Sequence, residues 1–98
     1  MGLGFRTEED LRGEYPKTPD FLLDRPIYHR GSVVHWIESK ASFGDRIEIN
    51  KNLRRQLKPY VELFKEGMVI FHFGIVDDAP VVDGILIETP DFFRDYRE

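Results

Sequence analysis

Cysteine is absent from the 98 residues, which excludes disulfides and thiolate metal sites. No apolar run approaches the ~20 residues that a membrane-spanning helix needs, and no signal-peptide pattern opens the chain. These absences set the expectation of an intracellular protein, cytoplasmic in a prokaryote or nuclear in a eukaryote. Basic excess is missing as well. The formal net charge is −4, and the total by itself argues against a nucleic-acid binder. Linkers, low-complexity tracts and solenoid-length repeats are lacking, so residues 1–98 read as one domain. A chain of this size buries about 60–65% of its unfolded surface, and its core is modest.

What is present is unevenly spread. Arg46, Lys51, Arg54, Arg55 and Lys58 gather in the middle, while Asp77, Asp78, Asp83 and Glu88 lead an acidic C-terminal end. Local field matters more to an anionic partner than the sum does.

Thr7-Glu8-Glu9-Asp10 predicts a short helix with Thr7 as its N-cap and acids in its first turn. Phe21-Leu22-Leu23 predicts a strand, which Pro26 restricts to an edge or a bulge. His29 to Ser32 reads as a turn, and Val33 to Lys40 as the clearest strand. Ala41 to Asp45 is a loop, from which Asp45 either caps the next segment or reaches the site. From Asn52 to Lys65, the residues Leu53, Leu57, Tyr60, Val61 and Phe64 recur at the spacing of one helix face. Pro59 should kink that helix, and Gly67 should end it. Met68 to Val76 and Gly84 to Glu88 predict two more strands, and Thr89-Pro90-Asp91 a closing helix. The fold class is α/β, a mixed sheet with a helix on one face.

A strand this apolar should avoid charge, yet it ends in Glu38-Ser39-Lys40. Side chains alternate across a strand, so Glu38 and Lys40 share a face. A hairpin turning near residue 30 sets position 20 opposite roughly position 40. Asp20 then joins Glu38 and Lys40 at the end of two neighbouring strands. Two carboxylates that close repel unless a cation or proton lies between them. The residues leave two readings open: a structural ion pair, or an oxygen-ligand site for Mg²⁺ or Mn²⁺.

Pro19-Asp20 followed by Glu38-Ser39-Lys40 resembles the PD-(D/E)xK nuclease pattern. More narrowly, "TPDFLL" followed by "HWIESKASFGD" resembles the TPD-motif branch of that superfamily, which holds the codanin-interacting nucleases of animals and archaeal relatives. Gln56-Leu57-Lys58-Pro59-Tyr60 adds the Gln-x-x-x-Tyr spacing that many of these nucleases carry on the following helix. The likeness runs from Phe5 to Gly74.

The resemblance implies a restriction-endonuclease-like central sheet, here a minimal core lacking the usual first helix. It implies a metal-dependent nuclease that hydrolyses DNA phosphodiester bonds, with structured or branched DNA among the substrate classes. Asp20, Glu38 and the backbone carbonyl of Ser39 would bind Mg²⁺ or Mn²⁺. Lys40 would orient or deprotonate the attacking water, or stabilise charge on the phosphorus oxygens. Gln56 would hydrogen-bond near that water and Lys40, and Tyr60 would support Gln56 or touch a phosphate. Arg54, Arg55 and Lys58 would hold the nucleic-acid backbone. Only Met1 to Gly4 precede Phe5, where related nucleases place a helix. A sheet face left bare by that loss points to a homodimer, or to an N-terminal region supplied by another chain.

A reading from a different class is the same fold with a silent site, serving as a protein- or DNA-binding module. The intact Asp20, Glu38 and Lys40 favour the enzyme; the missing helix and acidic total favour the module. Trp36 is expected in the core, His35 in packing, His72 mid-strand and His29 in the turn.

Overall fold

The computed structural model describes residues 4–15 and 17–91. Its frame is a hairpin of β2 (Phe21–His29) and β3 (Ser32–Lys40). Arg30 and Gly31 both have positive φ, 51° and 79°, so the turn needs only two residues. Such a turn matches the right-handed twist of its strands. Pairing then starts with His29 against Ser32 and runs to Ile27 against Val34.

There the register breaks. The next pairs are Leu22 with Trp36 and Phe21 with Ile37, so residues 23 to 26 of β2 face the single residue His35 of β3. Asp24, Arg25 and Pro26 are exposed in this bulge, where Pro26 has no N–H to leave unpaired. Without the bulge, the register at Ile27 would set residue 20 against residue 41. With it, Asp20 falls opposite Glu38, two residues from the position expected from the sequence.

Short elements complete the hairpin edge. β1 (Phe5–Thr7) pairs antiparallel with β2 and was not foreseen, since three residues show no alternation. Thr7 caps α1 (Glu8–Leu11), and Asp10 reaches back to the Thr7 N–H at 2.9 Å, closing the expected box.

The helical crossover begins earlier than the sequence suggests. Asp45 caps it by accepting from Glu48 N at 2.8 Å, and α2 (Arg46–Asn52) starts six residues before the expected Asn52. Ile47 and Ile49 alternate with polar residues and gave no helix period, which hid this start. A π-helical turn (Leu53–Leu57) follows, then α3 (Lys58–Phe64). The expected break at Pro59 takes the form of that π turn, in which Lys58 N bonds Leu53 O. Pro59 cannot donate to the Arg55 carbonyl, and Lys17 Nζ does so instead at 2.8 Å.

The crossover delivers β4 (Gly67–Phe71) parallel to β3, and β5 (Ile85–Glu88) runs parallel to β4. The result is a five-stranded mixed sheet in the order β1-β2-β3-β4-β5, flanked by the helix. β4 ends five residues before the expected Val76, which leaves His72 beyond the strand and exposed. The predicted closing helix opens at Thr89-Pro90-Asp91, where Asp91 is helical, and the rest of that expectation falls outside the described residues.

On the helix face, Trp36, Leu57, Tyr60, Phe64, Val69 and Phe71 form the main core. On the other, Leu23, Ile27, Ile37, Met68 and Ile70 are buried. Both faces of β4 are therefore covered within one chain, as parallel strands require. The bare face on which the homodimer expectation rested is not seen in β4. No described helix is long and apolar enough to cross a membrane.

Trp36 sits in the core, as expected, and ties the crossover to the sheet. Its Nε1 donates to the Lys65 carbonyl at 2.7 Å, and its ring meets Tyr60 edge-on. The helix stops at Lys65 with φ of 72°, not at Gly67. Gly67 belongs to β4 because the indole lies on it: a Cβ there would stand 2.0 Å from Trp36. Gly67→Ala should therefore destabilise the fold by about 2–3 kcal/mol, read from urea unfolding. A change below about 0.5 kcal/mol would mean the indole moves aside freely.

Candidate active site

Asp20 precedes β2 and Glu38 lies near the end of β3, and the bulge register makes them neighbours. Their link is reciprocal. Asp20 N donates to Glu38 Oε1 at 2.9 Å, and Ser39 N donates to Asp20 Oδ2 at 2.8 Å. Each carboxylate is thus held by a backbone N–H of the other's segment.

Lys40 follows on the same face. Its Nζ lies 3.4 Å from Glu38 Oε2 and hydrogen-bonds the Gln56 Oε1. Gln56 lies in the π turn, so that turn brings its amide to the strand end. Tyr60 arrives from α3. Its hydroxyl donates to the Thr18 carbonyl at 2.9 Å and stands 3.5 Å from Glu38 Oε2. The expected pairing of Gln56 with Lys40 is present. Tyr60 is only 3% exposed, so it holds the Thr18 segment against Glu38 and does not reach a phosphate in solution.

Burial shapes the charges. Glu38 is buried, and its pKa is pushed up to about 6, first by burial and then by the Asp20 charge; Asp20 N–H and Lys40 oppose the rise. Burial and then the Glu38 charge push the Tyr60 phenol up, so it stays a hydrogen-bond donor at neutral pH.

The donor set suits a hard cation. Asp20 and Glu38 supply carboxylate oxygens, and the hydrogen bond that Asp20 accepts falls on Oδ2. Continuing the β2–β3 register sets Pro19 against Ser39, and proline has no N–H to give the Ser39 carbonyl. Two carboxylates and a carbonyl, completed by water, fit Mg²⁺ or Mn²⁺. Among the described residues, no group of three or more His, Cys, Asp or Glu side chains gathers for a metal.

The three expected backbone-holding cations separate. Arg55 lines a recess with Lys40 and Gln56. Arg54 and Lys58 line another, with Ile47, Asn50 and Leu53, because they project from a different side of the helix. Lys51, part of the basic cluster read from the sequence, joins Arg55 in the first recess, as does Lys17, which sequence reasoning missed. His72, expected in the core or supporting the site, takes the supporting place: its Nε2 hydrogen-bonds Ser39 Oγ. Lys17 and Thr18 directly precede the Pro19-Asp20 pair and so were within reach of the motif.

Glu38 makes stability depend on pH. With its pKa near 6 against an ordinary 4.5, the folded chain keeps a proton that the unfolded chain has released. This contribution to stability is therefore lost as pH rises through that window. In chelator, wild type should lose on the order of 1–2 kcal/mol relative to Glu38→Gln between pH 4.5 and pH 7, measured by urea unfolding. Parallel pH profiles for the two proteins would contradict the raised pKa.

A family model described as "Protein of unknown function TPD sequence-motif" matches residues 1–90. The chain is 43% identical over 90 residues to CDAN1-interacting nuclease 1 of Mus musculus, covering 89% of this chain and 32% of that protein. The Danio rerio protein of the same name is 47% identical over 89 residues, covering 88% and 30%. An uncharacterized protein of Acanthamoeba polyphaga mimivirus is 29% identical over 103 residues, covering 93% and 38%. This chain thus spans about a third of the length of the curated relatives it matches. No solved structure matches it. Of its two Thr-Pro-Asp triplets, only residues 18–20 fall wholly inside the matched region, and these are the ones that carry the site. The chain belongs to the TPD sequence-motif family.

Proposed function

We propose that this chain is the core of a divalent-metal-dependent nuclease of PD-(D/E)xK type that hydrolyses phosphodiester bonds in DNA. One observation carries the reading. Two hydrogen-bonded carboxylate residues, Asp20 and Glu38, stand beside a lysine, Lys40, that is itself held by Gln56. The printed names of the animal relatives, which call them nucleases, agree with it. A five-stranded mixed sheet with a crossover helix is compatible with a minimal restriction-endonuclease-like core.

Asp20, Glu38 and the Ser39 carbonyl would hold Mg²⁺ or Mn²⁺. When bound, such an ion lowers the pKa of water and screens phosphate charge. The remaining work falls to the protein. Glu38 must give up its proton to act as a ligand, and the neighbouring Lys40 ammonium favours that ionised form. Gln56 fixes the Lys40 head, which keeps its other N–H donors for the attacking water or for phosphate oxygens. Tyr60 acts by position, anchoring Thr18 so that Asp20 stays in register. Branched DNA is a substrate class within this reading.

A second reading has its own observation. Among the described residues, no buried side-chain nitrogen or oxygen lacks a partner, as a silent site serving a binding module would also require. Cleavage decides between them. Labelled single-stranded, duplex and four-way-junction DNA should be cut with Mg²⁺ or Mn²⁺, and RNA serves as a counter-substrate. Lys40→Ala and Glu38→Ala should each lower kcat by about 100-fold or more. Unchanged cutting in Lys40→Ala would overturn the assignment, and DNA bound but never cut would favour the module.

A further inference from the structure

Next to Lys40 the surface opens into a recess of about 570 Å³, lined by Lys17, Lys51 and Arg55 as well as Lys40 itself. Four cations face one carboxylate there, that of Glu48. Glu48 is already engaged: Lys51 Nζ lies 2.9 Å from Oε1, and Ser42 Oγ donates to Oε2 at 3.0 Å. Lys40 is paired with Glu38 at 3.4 Å, so Lys17 and Arg55 supply the charge that no carboxylate of the recess balances. Arg55 forms no ion pair with a carboxylate among the described residues.

The helix defect builds this arrangement. Because Pro59 has no N–H for the Arg55 carbonyl, Lys17 Nζ donates to it at 2.8 Å. That bond draws the Lys17 ammonium from the TPD segment onto the helix, and the ammonium keeps further N–H donors. Lys17 and Arg55 are thereby brought to one wall, although 38 residues separate them. The opposite recess, lined by Arg54 and Lys58, contains none of the site's side chains.

We propose that the recess seats the phosphate next to the one being cleaved, held by Arg55 and Lys17 with Lys51 behind them. This rests on the nuclease reading and refines its substrate. Phosphates succeed one another at about 3.4 Å of rise along a strand, so a cationic wall that shares Lys40 with the site meets a neighbouring phosphate, not a remote one. The chain accordingly favours linkages that have a second phosphodiester beside them, and it disfavours a dinucleotide with one.

The test uses DNA strands in which one phosphate at a time is replaced by an uncharged methylphosphonate. Binding and cleavage are both measured, for wild type, Arg55→Ala, Lys51→Ala and Arg54→Ala. One position beside the cut should weaken wild-type binding about tenfold when neutralised, and Arg55→Ala should be nearly blind to it. Arg55→Ala should also lower the slope of log affinity against log salt by about 0.7–0.9, the loss of one phosphate contact. Lys51→Ala should act in the same direction, and Arg54→Ala should keep the wild-type sensitivity to that one position. Equal effects of Arg54→Ala and Arg55→Ala, or no sensitive position, would overturn the recess. Cleavage by a wild type blind to every methylphosphonate outside the cut linkage would do so while leaving the nuclease standing. Arg55-dependent sensitivity in binding without any cleavage would keep the recess as a phosphate seat and remove the nuclease. Neither binding nor cleavage would overturn both.

Discussion

Two backbone N–H groups hold two carboxylates against each other. Asp20 N serves Glu38, and Ser39 N serves Asp20, at 2.9 and 2.8 Å. The hydrogen bond that Glu38 accepts favours its charged form, while its burial and the Asp20 charge oppose it. The balance leaves Glu38 with a raised pKa and a poised site. Lys40 supplies the nearest compensating charge, and Gln56 and Tyr60 keep the surrounding groups in place.

That exchange depends on register. The hairpin turn alone would set residue 20 against residue 41, and the bulge at residues 23–26 draws it back to Glu38. A one-residue slip in a strand would turn Asp20 to the opposite face. The Thr18-Pro19-Asp20 triplet therefore works through each of its members. Thr18 offers a carbonyl to Tyr60, Pro19 leaves the Ser39 carbonyl without a ladder donor, and Asp20 presents its N–H and carboxylate. The π turn performs the matching task on the helix, presenting Gln56 to Lys40 just ahead of Tyr60.

Much of this was legible in the sequence. Thr7, the His29–Ser32 turn and β3 announce themselves through capping, glycine and β-branched alternation, which are local signals. Alternation placed Glu38 and Lys40 on one face, and a turn taken near residue 30 added Asp20 to it. The true turn without the bulge would set Asp20 against residue 41, on the other face. The extra residues of the bulge could not be counted, because Pro26 signals an irregularity without fixing its length. β1 was too short to show a period, and the start of α2 was hidden by an alternation of isoleucine with polar residues. Pro59 marked a helix disturbance but not its form. The division of Arg55 from Arg54 and Lys58 follows from a helical phase that the π turn alters, so residues adjacent in sequence face different recesses.

On the proposed nuclease reading, Asp20 and Glu38 share one divalent ion, which displaces the Glu38 proton. Calorimetric titration of Mn²⁺ at pH 6, in two buffers of different ionisation enthalpy, reports the ion count and the protons released. The account predicts one ion per chain, release of about half a proton, and loss of binding in Asp20→Asn. Binding that releases no proton and survives Asp20→Asn unchanged would contradict it.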